Sequence, residues 1–338
     1  MQDRGMLLAE IGGETGCERL AREFYGRVGK SAVLRPLFPG KSLRCATEEF
    51  AAFLVQFLGG DEEQTQKRWW LSLRESHARF RISAEQRSAW LECMRATLAE
   101  SRIGEGARAA LQRFFLLSSA YVMGKESGSP EDAELGARWK EQLALDRAMG
   151  AIASGGDAEA IALAGGFSAR RTVFAGLLAR MMQAGRPALV TRVLDALRED
   201  PLLAESRFAG RTLLHYAAAA GCLPVVELLL AMGVDANVED HGGHSPLYAV
   251  ANQCGLPVGP AVVRALVGAG ADVNARGGVT RATPLHMAAR RGFVAVAEEL
   301  IEQGADRAAR DKKGDTPLDR ARNCRQAAIL PLLSHYGY

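Results

Sequence analysis

Residues 71–82 read Leu-Ser-Leu-Arg-Glu-Ser-His-Ala-Arg-Phe-Arg-Ile and contain His77, the single histidine among the first 214 residues. The other five histidines all lie at or after His215. A lone imidazole among aromatic side chains can bind haem iron through one nitrogen, because the haem supplies the remaining equatorial ligands. An ordinary core or surface histidine is the alternative that this stretch leaves open. The apolar residues nearest His77 are Trp69, Trp70, Leu71, Leu73, Phe80 and Ile82.

The composition is that of an ordinary water-soluble protein. The chain has 338 residues, 48% of them hydrophobic and 24% charged, which predicts two domains and possibly a third. A net charge of +3 is too small to predict binding to nucleic acid or to an anionic membrane. No apolar run reaches the ~18 residues of a membrane span, and the first residues lack a signal-peptide pattern. The six scattered cysteines include no Cys-x-x-Cys pair, which argues against zinc or a disulfide framework and favours a cytoplasmic protein.

The first third of the chain predicts an all-α domain. Residues 1–125 hold 13 of the 22 Phe, Trp and Tyr residues, and their apolar side chains recur with helical spacing. We expect helices at about 14–28, 43–58 and 105–123. Another helix should follow Ser83, which with Gln86 forms a capping-box pattern. No strand pattern appears, although an ordinary helical bundle with an aromatic core would show the same periodicity.

Residues 11–100 resemble the truncated haemoglobins, the short two-over-two globins, and in particular their second group. The similarity is strongest in Leu73-Arg74-x-x-His77-x-x-Phe80-x-Ile82, followed by Trp90-Leu91-x-x-Met94. The spacing is preserved across the whole block. Further matches are Gly12-Gly13, Phe24-Tyr25, Leu34 with Phe38-Pro39, Phe53-Leu54 and Gly59-Gly60.

This resemblance implies a haem site. It makes His77 the proximal iron ligand, Tyr25 the distal phenol and Trp90 an indole donor. Tyrosine and tryptophan combine a large apolar body with one polar donor, which suits a dry pocket around dioxygen. The haem should be non-covalent haem b, because no Cys-x-x-Cys-His motif is present. The remaining residues expected at the haem are Phe38, Ala46, Phe50, Leu73, Phe80 and Met94.

The chain departs from the truncated globin pattern where the haem propionates should be anchored. Between Gly60 and Leu73 the family usually has Pro and Tyr followed by Gly, whereas this chain has Asp-Glu-Glu-Gln-Thr-Gln-Lys-Arg-Trp-Trp. Glu49 stands where relatives often place a basic residue. Three cations could substitute, or could be simply solvated: Lys67, Arg68 and Arg74.

The second half of the chain is built from repeats. One tetrapeptide recurs at spacings of 33, 38 and 33 residues. In three of these units, the second half contains Gly-Val-Asp or Gly-Ala-Asp. Thr or Ser should cap a helix in each unit, Pro fits the first turn in the three units that have it, and His bonds locally in the two that have it. We therefore expect His215 and His286 to be structural and the cysteines of the repeats to be small fillers. His241 and His244 should be solvated at a turn tip, with a contact role as the alternative. The tetrapeptides are Thr212-Leu-Leu-His215, Ser245-Pro-Leu-Tyr248, Thr283-Pro-Leu-His286 and Thr316-Pro-Leu-Asp319.

These repeats resemble ankyrin repeats, which form an α-solenoid with short β-hairpin tips and bind proteins. The predicted organisation is a haem-binding globin at 1–125, a linker with connecting helices at 126–169, and an ankyrin-repeat domain at 170–338. The last domain should hold about five repeats, with degenerate first and last copies. Residues 133–166 could be either a cap or a connecting helix.

The resemblances imply a haem protein that binds oxygen, nitric oxide or carbon monoxide and presents an array to an unidentified protein partner. Whether it is also an enzyme stays open at this point. The alternatives are haem-dependent oxidation of nitric oxide, peroxide chemistry, and a haem-free ankyrin adaptor. We expect no nucleic-acid or membrane partner.

Overall fold

A computed structural model describes residues 6–38, 40, 42–60, 72–78, 80–124 and 133–334. Trp69, Trp70, Lys67 and Arg68 lie outside the described residues, as does the predicted linker at 126–132. The chain divides into two compact units. Unit 1 comprises Met1–Ala151 and Ala162–Val173, and unit 2 comprises Ile152–Ile161 and Phe174–Tyr338. In the described ranges the secondary structure is almost entirely α-helical, as the sequence predicted.

Unit 1 is a helical bundle around an aromatic core. Helix α2 packs against both α3 and α5, and α5 packs against α6. The core side chains Phe24, Leu54, Met94 and Phe114 are at most 1% exposed. The helices run α1 Met6–Glu10, α2 Gly13–Val28, α3 Arg44–Phe57, α4 Leu73–His77, α5 Ala84–Glu100, α6 Glu105–Val122 and α7 Ala133–Ser154.

Local capping positions the helix that carries Trp90. The Ser83 hydroxyl accepts the Gln86 N–H at 3.1 Å, and the Gln86 side chain accepts the Ser83 N–H at 2.9 Å. This reciprocal pair satisfies two N–H groups that otherwise lack partners at a helix start. The predicted capping box is confirmed.

Helix α7 extends the core of unit 1 beyond residue 125. The Trp139 side chain is 1% exposed, and Leu135 on the same helix is fully buried. The Trp139 ring meets Phe114 edge-on at 5.8 Å between centroids and Tyr121 at 5.2 Å. The sequence left the role of residues 133–166 open, and the structure shows that the first part of this segment completes the helical bundle.

Five helix pairs follow one another from residue 171 onward. A two-stranded antiparallel hairpin, β1 Arg207–Phe208 and β2 Arg211–Thr212, lies between the first two pairs. A short helix, α8 Asp157–Gly165, precedes the pairs. They are α9 Arg171–Ala184 with α10 Pro187–Glu199, α11 Leu213–Ala220 with α12 Leu223–Ala231, α13 Pro246–Gln253 with α14 Gly259–Gly268, α15 Pro284–Arg291 with α16 Val294–Glu302, and α17 Pro317–Asn323 with α18 Leu330–Ser334.

The repeat histidines have the structural role that the sequence predicted. In His215, Nδ1 lies 2.8 Å from the Thr212 hydroxyl, and Nε2–H donates to the His244 carbonyl in the next repeat at 2.9 Å. The His286 ring is 2.8 Å from the Thr283 hydroxyl and donates to a carbonyl of its neighbouring repeat at 3.0 Å. Each imidazole therefore joins a helix cap to the following repeat.

Two expectations for the repeats were wrong in detail. His244 is half-buried instead of solvated, because its Nδ1 lies 3.1 Å from the Asp240 carboxylate and its ring stacks 4.3 Å from Tyr248. Cys324 is exposed and fills no cavity, whereas Cys222 and Cys254 are buried.

Backbone hydrogen bonds link the turn tips of successive repeats into a continuous row. His241 N–H donates to Gly210 at 3.1 Å, Gly278 N–H to Gly243 at 3.0 Å, and Lys312 N–H to Thr280 at 2.9 Å. We call residues 240–244, 277–281 and 311–313 the tip ledge. Among the described helices, none combines the length and the apolar character that a membrane crossing requires.

Candidate functional site

The candidate site is built around α4, a helix of five residues that ends at His77. The Ser72 side chain caps it by accepting the Glu75 N–H at 3.1 Å. The His77 Nδ1 atom lies 2.8 Å from the Leu73 carbonyl oxygen and 2.7 Å from the Ser76 hydroxyl. A carbonyl oxygen can only accept, so Nδ1 is the donor in this contact. Histidines that ligate a metal through one ring nitrogen are commonly oriented by such a bond from the other nitrogen.

A chain of rings leads from His77 across to α2. Phe80 lies 6.3 Å from the His77 ring and 6.0 Å from Phe38, and Phe38 meets Tyr25 edge-on at 5.7 Å. Tyr25 in turn lies 6.1 Å from Phe50 on α3. These five side chains are half-buried, unlike the enclosed core behind them. They form a continuous apolar cluster that includes both the imidazole of His77 and the phenol of Tyr25.

Trp90 joins the same cluster through residues that the site prediction omitted. Phe24 touches both Tyr25, at 5.1 Å, and Trp90, at 5.2 Å. Phe115 lies 5.6 Å from Trp90. Both phenylalanines fall on apolar stripes of their helices, so periodicity identifies them as core residues without indicating that they support the site.

The other predicted site residues do not take part in the described ring contacts. Leu73 is 7% exposed and Met94 is 1% exposed, and both belong to the core cluster of unit 1. Ala46 is half-buried on α3.

The donor set and apolar surfaces of the site fit a flat, hydrophobic prosthetic group that is held by one imidazole. Such a group needs a single nitrogen ligand from the protein and aromatic side chains around it.

The structure describes two arginines near the site, Arg74 and Arg35, and each contacts another part of unit 1. The Arg74 guanidinium lies over the Tyr121 ring, 4.0 Å from its centroid, which is a cation–π contact. Arg35, which sequence reasoning missed, donates to the carbonyls of Phe38 and Gly40, the latter at 2.6 Å, and so holds the loop that carries Phe38. Of the expected propionate partners, Arg74 is therefore directed to α6, while Lys67 and Arg68 lie outside the described residues.

A buried carboxylate adjoins the start of α4. Asp146 of α7 is 8% exposed and accepts the Arg74 backbone N–H at 3.3 Å. Burial raises the pKa of this carboxyl above its ordinary value, although hydrogen bonds from Ser72 and Tyr121 act in the opposite direction. The Tyr121 pKa is also raised, mainly by burial and then by the nearby Asp146.

Comparison with known proteins separates the chain into the same two parts. Residues 6–116 match the family described as bacterial-like globin, and residues 178–277 and 256–338 each match the family described as ankyrin repeats (3 copies). The group 2 truncated hemoglobin YjbI of Bacillus subtilis is 36% identical over 83 residues, which are 25% of this chain and 62% of that protein. Ankyrin repeat and SOCS box protein 16 of Homo sapiens is 38% identical over 117 residues, or 35% of this chain.

The similarity to curated proteins is confined to individual domains. The chain covers 25% of the human ankyrin protein and 34% of ankyrin repeat and SOCS box protein 11 of Danio rerio, with which it shares 42% identity over 106 residues, or 31% of this chain. Both regions nevertheless agree with the helices and tetrapeptides described above. The chain therefore contains a bacterial-like globin domain at residues 6–116 and ankyrin repeats at residues 178–338.

Proposed function

We propose that the globin domain binds haem b and, through it, a diatomic gas such as oxygen, nitric oxide or carbon monoxide. The observation that carries this proposal is the orientation of His77. Its Nδ1 is held by the Leu73 carbonyl and Ser76, an arrangement that supports ligation of the iron through Nε2. The similarity to a truncated haemoglobin over 83 residues supports the same conclusion.

Each residue of the candidate site has a distinct role in this proposal. His77 would hold the haem iron, and the rings of Phe38, Phe50 and Phe80 would supply apolar surface to the haem. Haem, when bound, supplies the iron that a diatomic gas requires. Tyr25 and Trp90 provide O–H and N–H donors beside the ligand, in a site where low dielectric strengthens a hydrogen bond.

The ankyrin repeats should serve as the output of this gas-binding module. We propose that a protein partner docks on the tip ledge, where Val279 is 83% exposed. The hydrogen bonds between tips keep the ledge ordered, so little conformational entropy is lost on docking. A gas can affect the partner only if the two ligation states differ in affinity for it.

Haem reconstitution tests the first proposal. The purified full chain should take up about one haem and show a Soret band, and His77→Ala should abolish tight binding. His215→Ala is the matched control, because that histidine caps a repeat helix and should leave the Soret band intact. A wild-type chain that shows no Soret band with added haem would contradict the proposal.

A separate experiment tests whether a protein partner docks on the tip ledge. Val279→Asp should weaken capture of a partner identified with the full chain, whereas Leu116→Asp, at a side chain that is 51% exposed in the globin domain, should not. The affinity of the full chain for this partner would then be measured with and without a bound gas. Equal affinities would show that the two domains act independently, and equal capture by both variants would contradict docking on the tip ledge.

A further inference from the structure

Helix α4 cannot maintain its own orientation. It has five residues, little more than one turn, and isolated helices of this length are unstable because nucleation is unfavourable. The helix as a whole must therefore be held in place by contacts from outside it. His77 is the last residue of this helix.

The N-terminal N–H groups of α4 are bound by two acceptors. Ser72 takes the Glu75 N–H at 3.1 Å, and Asp146 takes the Arg74 N–H at 3.3 Å. The nearby hydroxyls of Ser72 and Tyr121 act to lower the pKa of Asp146, against the effect of burial. The Arg74 side chain covers the Tyr121 ring at 4.0 Å, so the same group of residues joins α4 to both α6 and α7.

A carboxylate suits this position for two reasons. A negative group at a helix N-terminus is stabilised by the partial positive charge of the first N–H groups. A hydrogen bond to an ionised acceptor is also stronger than one to a neutral acceptor. Asp146 itself lies on a long helix whose Trp139 is anchored in the unit 1 core, so the acceptor is firmly placed.

We propose that Asp146 is a positioning residue for His77, acting by capping α4 from a helix that lies outside the matched globin region of residues 6–116. This inference rests on the proposed haem function. It extends the haem-binding unit beyond the globin match to α7. It also assigns residues 133–151 a part in setting the proximal geometry.

The test uses the full-length chain reconstituted with haem. Two properties are measured: the iron–histidine stretching band of the ferrous protein by resonance Raman, and the rate of haem transfer to excess apomyoglobin. Asp146→Ala should shift or broaden the band and speed haem loss about 2- to 30-fold, the factor that corresponds to the loss of one helix cap. For Asp146→Asn, the band and the rate of haem loss should lie between those of the wild type and of Asp146→Ala, because the amide oxygen still accepts the Arg74 N–H.

Glu141→Gln is the matched control, since Glu141 lies on the same helix but pairs with Arg170 and not with α4. It should behave like the wild type in both measurements. An unchanged band together with an unchanged rate in folded Asp146→Ala would overturn the inference. If that variant fails to fold, Asp146→Asn decides, and wild-type values in both measurements overturn the inference. A wild-type chain without a Soret band would instead contradict the haem proposal itself.

Discussion

At the scale of single residues, Tyr25 and Trp90 reach one aromatic cluster from two helices, with Phe24 in contact with both at 5.1 and 5.2 Å. If both donate to a bound gas, removing either donor loses a hydrogen bond of about 1–3 kcal/mol. Tyr25→Phe and Trp90→Phe should then speed oxygen release roughly 5- to 150-fold. Stopped-flow oxygen dissociation checks this, and unchanged rates in both variants would show that the distal assignment is wrong.

His215 should make the repeats sensitive to mild acid. Burial lowers its pKa from 6.5 to about 4, although its bond to the His244 carbonyl and the nearby Asp240 oppose this shift. At mildly acidic pH, His215 therefore binds a proton in the unfolded chain but not in the folded chain. The neutral, buried His215 therefore leaves stability at its full value above about pH 6.5. Stability falls as the pH is lowered toward 4, and the loss reaches about 2 kcal/mol by pH 5.

Unfolding of the full chain at several pH values measures this effect. The difference in unfolding free energy between the wild type and His215→Asn should shrink between pH 7 and pH 5. His241→Asn is the control, because it makes the same chemical change at a histidine that is exposed at a turn tip. A difference that is constant with pH would contradict the prediction.

At the scale of elements, the capping box of α5 stabilises the helix that presents Trp90. Ser83→Ala removes the acceptor of the Gln86 N–H and should lower the free energy of unfolding by about 0.5–2 kcal/mol. Ser88→Ala tests the same chemical change on an exposed interior position of the same helix, where it should cost nothing. Urea unfolding compares the two, and equal losses would show that the cap contributes nothing specific.

At the scale of the whole molecule, α7 is part of the globin-side unit. Trp139→Ala in the full chain should lower the stability of unit 1 by about 3–5 kcal/mol, because it empties a site enclosed by Phe114 and Tyr121. Trp139→Phe should lose less, since a ring remains in contact with both neighbours. Tryptophan-independent probes such as circular dichroism would follow unfolding, and a loss below 1 kcal/mol in Trp139→Ala would show that α7 is peripheral.

Much of this protein follows from local sequence patterns. Helical spacing of apolar residues, the Ser83–Gln86 pair and the repeated tetrapeptides predict the all-α fold, the capping box and the structural histidines, because these depend on contacts within a few residues. His77 is prominent in the sequence for a similar reason, as the one histidine of the first 214 residues.

Only the tertiary structure decided the contacts that join distant segments. Residues 139 and 146 carry no local signal, yet Trp139 enters the core and Asp146 caps α4 from 72 positions beyond Arg74. The same holds for His244, which its sequence position predicted to be solvated and which Asp240 and Tyr248 instead enclose. Helical periodicity specifies which face of a helix is apolar but not which partner covers it. That choice depends on the packing of all the helices together.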